Sequence, residues 1–448
     1  MAEKGEIVIL GAGPAGMVSA VTARKYYPKK KITMLKNVAH GVVPCGIPYM
    51  FSSLSCPEDN KLSTSPLAEK QIEVCCDAVV RIDRDEKAVH TESGSTYSYE
   101  KLILAVGADP VVPPIPGVNK DGIYSIHKDL EYLRKIIDET RQVKEVLIVG
   151  GGFIGIELAD DISKMEGVNV SLVELLPRLL ANSFDEEFSR MVEEKLKTQG
   201  VKIKTKTKAV EFLGEAAVTG VRLDNGEEIK VEKVILGIGA VPRTQLARDA
   251  GLDMGRSGGV WVDEYMRTSD PDIFAVGDCA AKRDFFTRKH APVMLASTAT
   301  AEARIAGANL YQLKVVRENK GTIAVYSTFI DGLGLGSAGL TEQNARQEGF
   351  EIAVGNAQGF DKHPKSIAGA QQTRVKLIFS RRSGILMGGQ VAGGVSAGEL
   401  INVIGLAIQQ RISATELETF QMATHPCLTS APTKYPIVLA AQDVREKM

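Results

Sequence analysis

The sequence predicts an α/β chain made of two similar β-α-β units and a C-terminal α+β segment. Three observations carry this. The glycine run Gly11-Ala12-Gly13-Pro14-Ala15-Gly16 follows the apolar strand Glu6–Leu10, and a second run, Gly150-Gly151-Gly152-Phe153-Ile154-Gly155, follows the apolar strand Glu145–Val149. Each run opens a helical stretch that leads into another short apolar strand. Beyond residue 320 no third glycine run appears, and the pattern changes to strands followed by helices.

In chain order, Glu6–Leu10 reads as a strand, Gly11–Gly16 as a tight turn and Met17–Tyr27 as a helix. The basic turn Pro28-Lys29-Lys30-Lys31 then leads into a second strand, Ile32–Leu35. A further strand, Lys101–Val106, ends at Gly107, and the proline-rich run Val111–Gly117 makes a stiff linker and a domain boundary. The second unit repeats the scheme with strand Glu145–Val149, turn Gly150–Gly155, helix Ile156–Met165 and strand Asn169–Val173. Val234–Ile238 is a strand ending at Gly239-Ala240-Val241-Pro242, and Asp272–Val276 a strand ending at Gly277-Asp278. The expected domains are 1–112 with 243–320, then 113–242, then 321–448.

Bulk properties narrow the function classes. The chain has 448 residues and a formal net charge of −1, so nothing points to nucleic-acid binding through excess charge. No run of 18 apolar residues predicts a membrane span, and the acidic start at Glu3 and Glu6 does not resemble a signal peptide. The six cysteines (45, 56, 75, 76, 279 and 427) include no C-x-x-C pair, so no metal site is expected and a cytoplasmic, reducing compartment is.

The two glycine runs have a specific chemistry. The first glycine makes the turn, the second lets the backbone approach a pyrophosphate, and the third lets helix and strand pack. The helix N-terminus then faces the phosphates. Gly11, Gly13, Pro14, Ala15 and Gly16 are therefore candidate contacts at one nucleotide site, and Gly150, Gly152, Phe153, Ile154 and Gly155 at another. A ligand-free tight turn is the alternative for either run alone; two runs in the same context argue against it. The second strand of the first unit leads into Lys36 instead of a ribose-binding acid, and Lys36 either contacts a phosphate or lies in solvent. The second unit keeps its acid, Glu174, 19 residues past Gly155, where it accepts from ribose hydroxyls and repels a 2′-phosphate. NADH is thereby favoured, while the nearby Arg178 leaves NADPH open.

Between the two runs stands Cys45, in Val42-Val43-Pro44-Cys45-Gly46-Ile47-Pro48-Tyr49, with no second cysteine two to five residues away. The prolines are compatible with a helix start, and a thiol at a helix N-terminus is reactive near neutral pH. A buried structural cysteine is the alternative. Two nucleotide sites on either side favour the redox reading.

Further motifs give a family resemblance. Thr268–Asp278 is similar to the second flavin motif of the flavoprotein disulfide reductases, which implies flavin contacts at Gly277 and Asp278. Leu104-Ala105-Val106-Gly107-Ala108 resembles their Ala-Thr-Gly segment, which adds Ala105 and Gly107, and Gly239-Ala240-Val241-Pro242 resembles its nicotinamide-domain counterpart. Ser337-Ala338-Gly339-Leu340-Thr341-Glu342 resembles a motif of the dimerisation domain. The resemblance implies two Rossmann-like dinucleotide-binding domains plus a C-terminal α+β dimerisation domain. It also implies FAD and NADH (or NADPH) as cofactors, and a homodimer with shared active sites.

Cys45-Gly46-Ile47-Pro48-Tyr49 is similar to the single-cysteine branch of that superfamily, which holds coenzyme A disulfide reductases, polysulfide or persulfide reductases, NADH oxidases and NADH peroxidases. Met50 stands where the glutathione reductase branch has a second cysteine, and Pro14-Ala15 where peroxidases have a histidine. No rhodanese-like extension is expected after residue 448, unlike in some persulfide reductases. By the same resemblance Phe153 gates the flavin and Glu157 lies near the nicotinamide. His425-Pro426-Cys427 replaces a tyrosine-bearing segment, and the acid expected five residues after the histidine is Ser430. His425 is similar to the histidine that a partner subunit lends as a general acid; an interface histidine is the alternative. Cys427 is either a second redox thiol or an inert interface cysteine.

The expected function is an FAD-dependent NAD(P)H oxidoreductase that reduces a small disulfide or polysulfide through Cys45. An NADH oxidase acting on oxygen, and an electron-transfer or redox-sensing subunit serving a protein partner, are the alternatives.

Overall fold

Ile7-Val8-Ile9-Leu10 is buried at every position, so this strand needs cover on both faces and both edges. It obtains the edges from Lys101–Leu104 on one side and Ile32–Lys36 on the other. Ile273–Ala275 and Glu73–Cys76 complete a five-stranded parallel sheet. The computed structural model describes residues 3–4, 6–256 and 258–448. The first helix, Pro14–Tyr26, starts three residues earlier than its apolar pattern suggested, because a proline at the first position loses no intrahelical bond. It packs on the helix Ala296–Ala308 through small residues, and a Cβ on Gly307 would come within 2.8 Å of Ser19 O.

The backbone groups into two compact units. One comprises the residues up to Val111, Ser125–Glu139 and Gly239–Thr322; the other comprises Val112–Tyr124, Thr140–Ile238 and Ile323–Met448. This division differs from the expected boundaries in three places, one of them being that the C-terminal segment is not a separate unit. Residues 125–139 join the first unit because Leu130, Leu133, Ile136 and Ile137 are buried and Leu130 N–H donates to His40 O at 3.0 Å. Ala240–Pro242 joins it because this strand pairs antiparallel with Ala108–Pro110.

In the second unit, Lys233–Leu236, Glu145–Val149, Asn169–Val173 and Lys202–Lys204 run parallel in that order, with the helix Phe153–Ser163 following Glu145–Val149. Both units therefore carry the expected Rossmann-like sheet. The C-terminal part is an antiparallel sheet in the order Val325–Ile330, Leu333–Gly339, Leu386–Gly393, Gln372–Ser380, Ile352–Phe360. The helix Ala397–Gln409 covers Leu333–Gly339 and Leu386–Gly393, and Pro436–Arg445 covers Ile352–Phe360.

The C-terminal sheet belongs to the same unit as residues 140–238, and a buried ion cluster explains why. Lys376, 5% exposed, lies 2.9 Å from Asp185, 2.9 Å from Glu187 and 2.8 Å from Glu342. Gln390 Nε2 adds a 2.6 Å bond to Asp185. A buried ammonium is tolerable only while its partners stay in place, so these segments hold together. Among the described residues no helix is long and apolar enough to cross a membrane.

Candidate functional site

In the first glycine run two glycines are fixed by close backbone approach. Gly11 has φ +105° and its N–H donates to Leu35 O at 2.8 Å; a Cβ there would strike Ala105 O. A Cβ on Gly16 would strike Gly11 O. Gly13 is different: a Cβ there would meet nothing within 4 Å, and no side chain caps the helix it precedes. The first N–H groups of Pro14–Tyr26 are thus left for another acceptor. Gly277, at φ +73°, sits over the same helix, with a Cβ position 3.0 Å from Ala15 Cβ. Asp278 follows, its Oδ2 3.4 Å from Lys128 Nζ. Gly11, Ala15, Gly16, Ala105 and Gly277 are therefore brought together, and Gly107, at φ +75°, has open space at its Cβ position. An uncapped helix N-terminus ringed by glycine backbone fits the pyrophosphate of FAD. The adenosine end differs from the usual arrangement, because Lys36 Nζ donates to Ala39 O at 2.8 Å and Leu35 before it is buried.

The second run repeats this geometry. Gly150 has φ +111° and a Cβ position 2.5 Å from Gly237 O, while Gly152 is open within 4 Å and no side chain caps its helix. A Cβ on Gly155 would strike Gly150 O. Glu174 is pinned to this turn: Gly151 N–H donates to its Oε2 at 2.5 Å and Leu176 N–H to its Oε1 at 2.6 Å. Each oxygen keeps acceptor capacity for a ribose hydroxyl. Arg178 turns to Gln343, donating to its Oε1 at 2.7 Å. Gly239, expected at this site, has φ +100° and belongs to the other unit.

Phe153 begins the helix, and its ring stacks on Tyr326 at 4.8 Å and 23°. One turn on, beyond the half-buried Ile154, Glu157 is 8% exposed and its Oε1 accepts from Thr328 Oγ1 at 2.7 Å. Burial pushes the Glu157 carboxyl up to about 7; the Thr328 bond opposes this and the Asp160 charge adds to it. Tyr326 and Thr328 lie more than 160 residues from the helix they complete, so no local motif announces them.

Because the folded-state value lies above the ordinary carboxyl value of 4.5, Glu157 holds its proton more tightly in the folded chain. Its contribution to stability is full below pH 4.5 and is lost as pH rises to about 7. The loss is on the order of 3 kcal/mol. Glu157→Gln is therefore expected to melt higher than the wild type at pH 8 and close to it at pH 5. Equal differences at the two pH values would contradict a buried, protonated Glu157.

Cys45 is exposed, and its surroundings differ from the expected helix start. Pro44–Gly46 and Pro48–Met50 are two separate 3₁₀ turns. Pro48 has no N–H to donate to Pro44 O, so an α-helix cannot run through this segment. The expected stabilisation of a thiolate by a helix macrodipole shrinks accordingly to that of a single turn. What holds the loop is Asn60, 5% exposed: its Nδ2 donates to Val43 O at 3.1 Å, and Val43 N–H donates to Asn60 O at 2.9 Å. A Cβ on Gly46 would strike Asn60 Oδ1. Met50, which replaces a second cysteine, is fully buried. Cys279 is buried, its Sγ donating to Val276 O at 3.3 Å and Leu104 O at 3.4 Å.

His425 and Cys427 are both exposed, on a loop of the second unit, whereas Cys45 belongs to the first. Cys427 N–H donates to His425 Nδ1 at 3.2 Å. That bond makes Nδ1 an acceptor and leaves the ring proton of the neutral imidazole on Nε2.

Residues 5–303 match the pyridine nucleotide-disulphide oxidoreductase family. The chain belongs to that family. This pyridine nucleotide-disulphide oxidoreductase also carries the family's dimerisation domain, matched over residues 325–435. It is an enzyme of the FAD-dependent, NAD(P)H-using type. It is 30% identical to an NADH oxidase of Methanocaldococcus jannaschii, over 98% of this chain and 99% of that one. It is 31% identical to an NAD(P)H coenzyme A polysulfide/persulfide reductase of Pyrococcus horikoshii, over 87% and 88% of the two chains. The solved NAD-dependent persulfide reductase from A. fulgidus superposes with a TM-score of 0.92 at 27% identity, covering 99% of this chain and 83% of that one.

Proposed function

We propose that this enzyme reduces a small disulfide or polysulfide with electrons from NADH, through the single thiol of Cys45. The observation that carries the reading is the placement of that thiol: exposed, on a turn held by buried Asn60, with a buried methionine where a second thiol would otherwise stand. Relatives named for polysulfide and persulfide reduction support it.

In this reading Gly11, Gly13, Pro14, Ala15, Gly16, Ala105, Gly107, Gly277 and Asp278 hold FAD. Gly150, Gly152, Phe153, Ile154, Gly155, Glu157 and Glu174 hold NADH. Bound FAD supplies the passage of two electrons from nicotinamide to sulfur. The Cys45 thiolate attacks the substrate S–S bond, forming a mixed disulfide and releasing one thiolate. Two electrons then break the mixed disulfide, release the second thiolate and restore Cys45. Two protons, one from NADH oxidation and one from solvent, complete two thiols. In a homodimer with shared active sites, Nε2–H of the partner subunit's His425 donates a hydrogen bond that stabilises the leaving thiolate while the solvent proton reaches it. Phe153 and Tyr326 form an aromatic wall at the nicotinamide.

A second reading, an NADH oxidase in which Cys45 cycles through sulfenic acid, is favoured by the full-length similarity to the M. jannaschii NADH oxidase. One experiment separates the two. NADH loss is measured without oxygen, with coenzyme A disulfide or polysulfide as acceptor, and the mass of the Cys45 peptide is taken during turnover. Anaerobic turnover with a disulfide or persulfide adduct on Cys45 is expected. Turnover only in air, with one added oxygen on Cys45, would establish the oxidase instead.

A further inference from the structure

Gly277 is held at φ +73° by an ion pair that the proposed chemistry does not use. Its N–H donates to Glu302 Oε2 at 2.8 Å, and its carbonyl accepts from Lys282 Nζ at 2.5 Å. Lys282 Nζ lies 3.0 Å from the same Glu302 oxygen and also donates to Ala280 O at 3.1 Å. Both side chains are almost fully enclosed, 6% and 2% exposed. One charge pair therefore clamps both backbone polar groups of a single residue.

Stability alone is a weak reason for such a pair, since apolar side chains of the same volume commonly serve as well. Glu302 Oε1 makes the point sharper: it is buried and has no hydrogen-bond partner, which costs stability. Burial pushes the Glu302 carboxyl up, while Lys282 opposes that. What the pair supplies that apolar packing would not is a fixed direction for the Gly277 peptide groups. The direction matters because Asp278 is the next residue and because Gly277 has little room to move. Its Cβ position lies 3.0 Å from Ala15 on the helix that follows the first glycine run and 3.4 Å from Ala299.

We infer that Lys282 and Glu302 are positioning residues for the flavin: they lock the Gly277 turn and so set where Asp278 points and how closely the turn approaches the N-terminus of Pro14–Tyr26. The inference rests on assigning the Gly277–Asp278 turn to FAD.

Two charge-neutral double variants of the holoenzyme test it, with FAD release after dilution and the visible circular dichroism of the flavin as readouts. Lys282→Met with Glu302→Gln loses the Lys282 donor to the Gly277 carbonyl but keeps an acceptor for Gly277 N–H; FAD release is expected to quicken by about threefold. Lys282→Met with Glu302→Leu removes it; release is expected to quicken about tenfold or more, with an altered dichroism band. Equal behaviour of the two variants, whether both tight or both loose, overturns the inference. Asp278→Ala separates the underlying assignment: if it leaves FAD release unchanged, the assignment of the turn to FAD fails. If it quickens release and the Met/Leu variant does not, only the positioning role fails. Should the Met/Leu variant not fold, hydrogen exchange at the Gly277 amide of the wild-type holoenzyme decides. Protection of about a hundredfold or more is expected, and exchange at the unprotected rate overturns the clamp.

Discussion

Cys45→Ser is expected to lower sulfur-substrate turnover on the order of a thousandfold while FAD stays bound and is still reduced by NADH. The reason is chemical. A thiolate attacks sulfur and forms a bond that two electrons can break; a serine hydroxyl is un-ionised near neutral pH and forms no such bond. The substitution is nearly isosteric and lies on an exposed turn whose geometry depends on Asn60 and Val43 backbone contacts. Stability is therefore expected to change by less than about 1 kcal/mol. Anaerobic NADH loss with disulfide or polysulfide, alongside the flavin absorbance spectrum, checks both halves. Full-rate reduction by the serine variant would sink the thiol mechanism.

Gly150→Ala is expected to raise the KM for NADH on the order of a hundredfold and leave FAD in place. Two effects act together. The residue stands at φ +111°, where an L side chain is strained by about 1–3 kcal/mol. Its Cβ would also lie 2.5 Å from Gly237 O, a backbone atom just past the neighbouring strand Lys233–Leu236, so the turn must shift. That shift moves Gly151 N–H away from Glu174, the bond that pins the acid to this turn. Dithionite should still reduce the flavin of this variant, which separates a lost nicotinamide site from a lost fold. An unchanged KM for NADH would remove Gly150–Gly155 from the nicotinamide site.

The two effects differ in how far the sequence foretold them. The glycine runs were legible because their constraint is local: Gly11 and Gly150 need φ values that few residues adopt, and the helix begins within a few positions. The Cys45 motif was legible as chemistry, yet its conformation was not. Pro44 and Pro48 each look like a helix start, but their spacing removes the very N–H that an α-helix would need. The residues that complete the candidate site were silent in the sequence. Asn60 is 15 positions from Cys45, and Tyr326 and Thr328 lie on the strand Val325–Ile330, far along the chain from the helix that carries Phe153 and Glu157. Lys282 and Glu302 look like surface charges until burial shows them as a pair.

The sequence by itself determined the two Rossmann-like units, the family and the candidate nucleotide contacts, because each depends on backbone rules read over a few consecutive residues. Only the tertiary structure decided that Glu157 is a buried acid with its carboxyl near 7, that Asn60 holds the Cys45 turn, and that one ion pair holds Gly277. Those properties depend on how much water is excluded and which distant polar atoms are left to pair, and both are set by packing between segments far apart in the chain.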